Sequence, residues 1–205
     1  MYGLEYKGER PIVKFNRVQR DLAKDYWTAG DNRPIMVIHT NGGLMTTDAK
    51  PYSWTRDMPQ DVAQALVDHY KKDYNIYQVT KVNSPKLNGA KHVFATQEQS
   101  LSLMEFFSIL LSSKKRILID SSLQHAAEAL RKPSTVLWNG TSPDVFGYQI
   151  HDNITTEIPY DFKLPGSYLF DFDFDGNEVE YPFTDDQQLY DIDKIIESVD
   201  KQKDR

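Results

Sequence analysis

The sequence predicts an α/β fold, a parallel sheet with helices on both faces, and three observations carry that prediction. Short apolar runs such as Pro34-Ile-Met-Val-Ile-His39, Lys115-Arg-Ile-Leu-Ile-Asp120 and Ser134-Thr-Val-Leu-Trp138 read as strands buried on both sides. Between them lie stretches whose apolar residues recur at helical spacing, as in Val62, Leu66, Val67 and Tyr70. The two kinds alternate with short links, which is the pattern of parallel strands joined by helical crossovers.

Taken in order, Pro11–Phe15 is expected as a short strand and Val18–Trp27 as a polar helix ending near Gly30. Pro34–His39 is the first buried strand, and Gly42-Gly43 opens a long loop reaching Met58. Pro59 sits where a first helical turn tolerates proline. Asn75–Thr80 and His92–Ala95 are short strands, and Leu101–Leu111 is a helix with Leu101, Glu105, Ser108 and Leu111 spaced by turns. The strand Lys115–Asp120 runs directly into Ser121-Ser122, the helix Leu123–Leu130 is broken by Lys132-Pro133, and Ser134–Trp138 is a further strand. Residues 34–147 thus form the α/β unit, preceded by an N-terminal extension, 1–33. Past Gly147, Tyr168–Tyr181 alternates aromatic or aliphatic with acidic residues around Asp175-Gly176, a β-hairpin signal. Leu189–Val199 is amphipathic, so 148–205 reads as a hairpin and helix appendage.

Composition closes off several functions. With 24 Lys+Arg against 30 Asp+Glu the formal charge is −6, which argues against a nucleic-acid backbone as partner. Cysteine is absent, so disulfides, thiolate nucleophiles and Cys-ligated zinc are excluded. Hydrophobic residues make up 40% of the 205, enough for a core, yet no apolar run approaches the ~20 residues of a membrane span. Met1-Tyr-Gly-Leu-Glu lacks a signal-peptide layout, so a cytoplasmic location is expected.

In an open parallel sheet, ligands bind beyond the carboxyl ends of the strands. That directs attention to His39–Gly43, the Asp120-Ser121-Ser122 corner, Asn139–Pro143 and the neighbourhood of Glu105. At the corner a strand ends in a carboxylate, two hydroxyl residues follow, and a helix begins with His125 in its first turn. Free N–H groups and a partial positive charge at a helix start suit a diphosphate. Spacing alone favours the plainer reading, in which Ser121 or Ser122 is an ordinary N-cap. By the same measure Glu105 reads as a solvent-facing helix residue, Arg56 as a surface cation and His125 as a satisfied helix histidine. Asp120, His125 and a serine do not compose a hydrolase triad, because no Gly-x-Ser-x-Gly elbow is present. Asp171-x-Asp173-x-Asp175-Gly176 copies the start of a calcium loop, but Pro182 stands where the bidentate Glu belongs, and no metal site is expected.

Several of these pieces occur together in a known order. They are Ser102-Leu-Met-Glu105, the run from Ile117 through Asp120-Ser121-Ser122 and His125-Ala-Ala to Pro133, and Val136-Leu-Trp-Asn-Gly-Thr141-Ser-Pro143. Together they resemble the carboxyl-terminal half of the heptosyltransferase family, glycosyltransferase family nine. His39-Thr40-Asn41 resembles a strand-end loop of those enzymes, and Arg56-Asp-Met-Pro59 their Lys-x-Trp-Pro element. The resemblance spans roughly 34–147 and implies the Rossmann-like donor-binding domain of a GT-B fold. It implies a nucleotide-diphospho-sugar as substrate, with no resident cofactor, and inverting transfer once an acceptor domain or partner completes the cleft. Carried over, Thr40 and Asn41 contact the diphosphate, Arg56 neutralises it, and Glu105 accepts from the ribose. Asp120, Ser121, Ser122 and His125 line the nucleotide side.

The departures are specific. Ser122 replaces a glycine, Arg56 a lysine and Arg131 a glycine, and the loop from Gly42 to Thr55 is long. The 33 residues before Pro34 are too few for an acceptor-side domain, and the sequence assigns no catalytic base. A second copy of the chain or a separate acceptor-domain protein is therefore the expected partner. The competing expectation is a catalytically silent binding or assembly module on the same fold, with an unrelated α/β hydrolase or phosphatase as a third.

Overall fold

The computed structural model describes residues 10–42, 56–94, 102–156 and 189–203. Six parallel strands form one sheet in the order β3-β2-β1-β4-β5-β6: β1 (Ile35–His39), β2 (Asn75–Thr80), β3 (Lys91–Phe94), β4 (Ser113–Ile119), β5 (Thr135–Trp138) and β6 (Asp152–Thr155). This is the strand order of Rossmann dinucleotide-binding sheets. The helices are α1 (Arg17–Thr28), α2 (Gln60–Tyr70), α3 (Leu103–Ser112), α4 (Ser122–Ala129), the single turn α5 (Pro143–Phe146) and α6 (Ile192–Lys201).

Strand alternation divides the core into two layers. Met36, Ile38, Ile76, Ile117, Ile119 and Leu137 pack with Val62, Leu66 and Tyr70 of α2 and with Ile195 and Val199 of α6. Ile35, Val37, Val79, Leu118, Val136 and Trp138 pack instead with Trp27 of α1, Ile109 and Leu110 of α3 and Leu123 of α4. Both faces are covered, which is why the strands read as continuous apolar runs.

Local chemistry sets the helix ends. Asn16 and Gln19 form a reciprocal capping box at the start of α1 (2.8 and 2.9 Å), and Ser102 with Glu105 does the same for α3. Asp191 caps α6 through the amide of Asp193 at 3.0 Å. Arg131 follows α4 with φ 58, the left-handed conformation that glycine adopts without strain. The glycine of the family pattern at this position thus has a conformational reason.

Three expectations are adjusted. Residues 10–16 form no strand; Phe15 is buried and Asn16 is committed to capping α1. The sheet continues past 147, since β6 pairs with β5 from Thr135↔Asp152 to Trp138↔Thr155. The C-terminal helix is part of the core, with Ile195 and Val199 fully buried. The hairpin expected at Tyr168–Tyr181, the acidic Asp171–Gly176 motif and most of the loop before Arg56 lie outside the described residues.

Candidate functional site

The sheet order reverses between β1 and β4, since β2 and β3 lie on one side and β5 and β6 on the other. Beyond the carboxyl ends of these two strands is the crevice where open α/β sheets bind ligands. Thr40-Asn41-Gly42 leaves β1 there, and Asp120-Ser121-Ser122 leaves β4 into α4. The two loops touch: a Cβ placed on Gly42 would lie 3.3 Å from both Cβ and Oγ of Ser121 and 3.6 Å from Ile119. A bare backbone at 42 keeps this corner open.

On the β1 side the polar groups are spent on one another. Asp57, fully buried, accepts from Asn41 Nδ2 (3.0 Å) and from the Gly42 amide (2.9 Å), and Lys81 Nζ lies 3.8 Å from it. Asn41 Oδ1 accepts from the hydroxyls of Thr40 and Thr80, each at 2.8 Å, and Gln78 donates to Thr40 at 3.0 Å. Asn139, ending β5, donates to the Asp57 carbonyl at 2.7 Å and accepts from the hydroxyl of Tyr190. The Met58 amide donates to the Thr40 carbonyl at 2.9 Å. The 57–58 segment is thereby strapped across the ends of β1 and β5, with Lys81 reaching in from β2. His39 donates from Nε2 to the Asn41 carbonyl at 2.9 Å, and burial pushes its pKa down to about 4.

On the β4 side the polar groups face outward. Ser121 is the N-cap of α4 by position, yet its side chain makes no capping bond. Among the described residues no partner is found for the Ser121 and Ser122 hydroxyls or for the buried Asp120 carboxylate. The Thr141 hydroxyl, buried in the loop after β5, also has no hydrogen-bond partner among them. His125, half-buried, bonds through Nδ1 to the Tyr148 hydroxyl at 2.9 Å. Burial lowers its pKa and the Asp120 charge acts against that shift.

The structure therefore brings Thr40, Asn41, Asp120, Ser121, Ser122 and His125 to one crevice. Arg56, half-buried, immediately precedes Asp57 in the segment strapped across that edge. Glu105 is engaged at the start of α3: its carboxylate accepts from the Ser102 amide at 2.7 Å, on the rim of a groove of about 530 Å³ between α1 and α3. Sequence reasoning did not single out Asp57, Lys81 or Tyr148. The first lies inside the Arg56–Pro59 element, but nothing in its spacing marks it as the centre of a network. Among the described residues no cluster of His, Asp or Glu is suited to hold a metal ion, and no helix is long and apolar enough to cross a membrane.

The sheet order and the covered faces define a Rossmann-type α/β domain. Its particular form is that of the heptosyltransferases: the chain superposes on the structure of Escherichia coli ADP-heptose lipopolysaccharide heptosyltransferase II with TM-score 0.57 and 16% identity, covering 74% of this chain and 47% of that one. It superposes on a glycosyl transferase family 9 protein from Veillonella parvula with TM-score 0.61 and 11% identity, covering 97% and 55%. The chain spans about half the length of these structures. No family model and no curated protein matches the sequence. The fold is heptosyltransferase-like, as the motif order implied.

Proposed function

We propose that the chain is a glycosyltransferase-like donor module that binds a nucleotide-diphospho-sugar, its pyrophosphate seated on the amino end of α4. The observation that carries this reading is the uncapped α4 start, with Ser121 and Ser122 beside it, facing Gly42 across the sheet's switch point. Free amides at a helix start hold an anion without needing the β1 donors, which Asp57 already occupies. In this arrangement Thr40 and Asn41 shape the loop, while Ser121, Ser122 and His125 supply donors and Arg56 the cation. Asp120 suits a hydroxyl donor on the ligand, since a carboxylate accepts hydrogen bonds and repels phosphate. A sugar leaving group gathers negative charge as it departs, and prearranged amides and cations stabilise it. Inverting transfer would then need an acceptor-side domain or a second copy to bring the base.

A second reading rests on a separate observation. The Gly42 amide and the Asn41 carboxamide are both committed to Asp57, so the β1 side carries less anion-binding capacity than the resemblance implies. That favours a module that binds without turning over. Calorimetric titration with ADP, UDP, GDP and their sugars decides between them, using wild type, Asp120→Ala and Arg56→Ala. Binding of one nucleotide diphosphate below millimolar Kd, weakened in both variants, supports the donor site. Binding without sugar release in the presence of cell-extract acceptors supports the silent module. Absence of any heat at millimolar nucleotide overturns both.

A further inference from the structure

The α4 histidine is held by its neighbour Gln124 and by Tyr148, which lies outside every motif that pointed to it. Tyr148 lies in the segment between α5 and β6 and brings its hydroxyl to 2.9 Å from His125 Nδ1, the two rings meeting edge-on at 5.5 Å. Tyr148 also stands edge-on to His151, at 6.0 Å. The Gln124 amide nitrogen is fixed by its bond to the Phe146 carbonyl (3.1 Å), which requires NH2 at that end. The same nitrogen lies 3.3 and 3.4 Å from the two ring nitrogens of His125. A donor amide thus lies against the imidazole, and a phenol hydroxyl approaches one nitrogen in particular. A phenol O–H is a strong donor and a weak acceptor, whereas an sp² imidazole nitrogen is a strong acceptor. The favoured contact is therefore O–H···Nδ1, not Nδ1–H···O.

We infer that Tyr148 is a positioning residue that fixes His125 in the Nε2–H form, making its ring a neutral donor for an anionic oxygen at the crevice. The identity of that oxygen as a ligand phosphate rests on the proposed donor-site reading; the placement of the proton does not. The groups acting on the ring are Asp120, whose carboxylate is close enough to influence it, His151, Gln124 and Tyr148. Burial favours the neutral ring over the opposing pull of the Asp120 charge, and the Tyr148 contact decides which nitrogen of that neutral ring carries the proton. His151 is turned the other way, donating from Nε2 to the Gln124 carbonyl at 3.0 Å, and its charge state does not select the tautomer of His125.

The test reads the proton directly. Side-chain 15N–1H correlation spectra of the full chain near neutral pH, with His125 assigned by its loss in His125→Ala, should show Nδ1 unprotonated and Nε2 protonated. In Tyr148→Phe, which keeps the ring and removes only the hydroxyl, His125 should become a mixture of both tautomers. ADP titrations of the same proteins should show about tenfold weaker binding for Tyr148→Phe and for His125→Ala, with no further loss in the double variant. A wild-type ring protonated on Nδ1, or ring shifts indifferent to the loss of the hydroxyl, overturns the assignment; if Tyr148→Phe does not fold, the wild-type spectrum alone decides. Wild type that binds no nucleotide, with the spectra as expected, removes the donor-site reading and leaves the role of Tyr148 intact.

Discussion

Replacing Asp57 by alanine tests whether one carboxylate holds the β1 side of the crevice together. Among the groups that converge on it are the Asn41 carboxamide at 3.0 Å, the Gly42 amide at 2.9 Å and the Lys81 ammonium at 3.8 Å. Neither charged side chain is open to solvent, at 0% exposed for Asp57 and 9% for Lys81. Screening by water therefore does little to cushion the loss. Hydrogen bonds to a charged group contribute about 1.5–3 kcal/mol each, and removing one member of a buried ion pair costs about 3–5 kcal/mol because the other charge is left stranded. These contributions share one group and do not add, so Asp57→Ala should lose about 3–5 kcal/mol. Asp57→Asn keeps an acceptor for Gly42 but turns an NH2 toward Asn41 or Lys81, and should lose about 2–4 kcal/mol. Urea unfolding followed by far-ultraviolet circular dichroism measures both. Adding Lys81→Met to Asp57→Asn removes the ammonium that faced the carboxylate and should recover about 1–2 kcal/mol of the loss. An alanine variant within about 1 kcal/mol of wild type, or a double variant whose losses simply add, would refute the network as the organiser of this edge.

Four further outcomes follow from the geometry. Burial holds His39 and His151 at pKa values of about 4, below the ordinary 6.5, so below that value protons bind the unfolded chain first; stability is full above pH 6.5, is lost as pH falls toward 4, and should drop by about 2 kcal/mol per histidine between pH 7 and 5 in urea titrations. A change below about 1 kcal/mol over that interval would contradict the burial of both. Arg131→Gly removes a left-handed non-glycine residue at φ 58 and only a distant ion pair to Glu128 (3.7 Å), which keeps Arg10 at 3.2 Å, so it should raise stability by about 0.5 kcal/mol; a loss of 1 kcal/mol or more argues that the ion pair dominates. Lys115→Met should cost about 2 kcal/mol and loosen α6, because Lys115 donates to the carbonyls of Val199 (2.7 Å), Asp200 (3.0 Å) and Gln202 (3.2 Å) at the end of that helix; amide exchange in α6 no faster than wild type would count against it. Gly42→Val should cost about 1–2 kcal/mol by pressing on Ser121 and weaken nucleotide binding more than tenfold, and unchanged affinity would place the ligand away from the β1–β4 corner.

The strands that were legible are those whose apolar runs are buried on both faces: Ile35–His39 and Thr135–Trp138 are buried throughout, and in Ser113–Ile119 the buried Ile117-Leu-Ile119 carries the signal despite the exposed Lys114. β6 was not legible for the opposite reason. Asp152-Asn-Ile-Thr155 is an edge strand, exposed or half-buried along its length, with a single aliphatic residue and no alternation to read. The run Pro11–Phe15 misled because apolar residues before a helix pack as readily against that helix as into a sheet; Phe15 lines the α1–α3 groove. The amphipathic Leu189–Val199 was visible, but spacing says that a helix has an apolar face and not what that face meets, and here it covers one side of the sheet together with α2.

The same asymmetry governs the crevice. Motif order located the two loops, since a strand end followed by hydroxyls and a helix is a local pattern. What each loop does with its polar groups depends on residues far away in sequence, and Asp57, Lys81, Asn139 and Tyr190 meet only because β1, β2, β5 and the segment before α6 converge. Those contacts turn the β1 side inward, so that its donors serve a carboxylate of the chain itself. The β4 side carries its own carboxylate, Asp120, but that group ties up none of the α4 amides, and the helix start, two serines and His125 lie beside it at the crevice. An anion arriving there meets the Asp120 charge but need displace no bonded carboxylate, whereas at β1 it would have to displace Asp57 from two hydrogen bonds and a nearby ammonium. The difference, several charge-assisted contacts of about 1.5–3 kcal/mol each, weighs against an anion seated at β1 and is the ground on which α4 is proposed as the pyrophosphate seat.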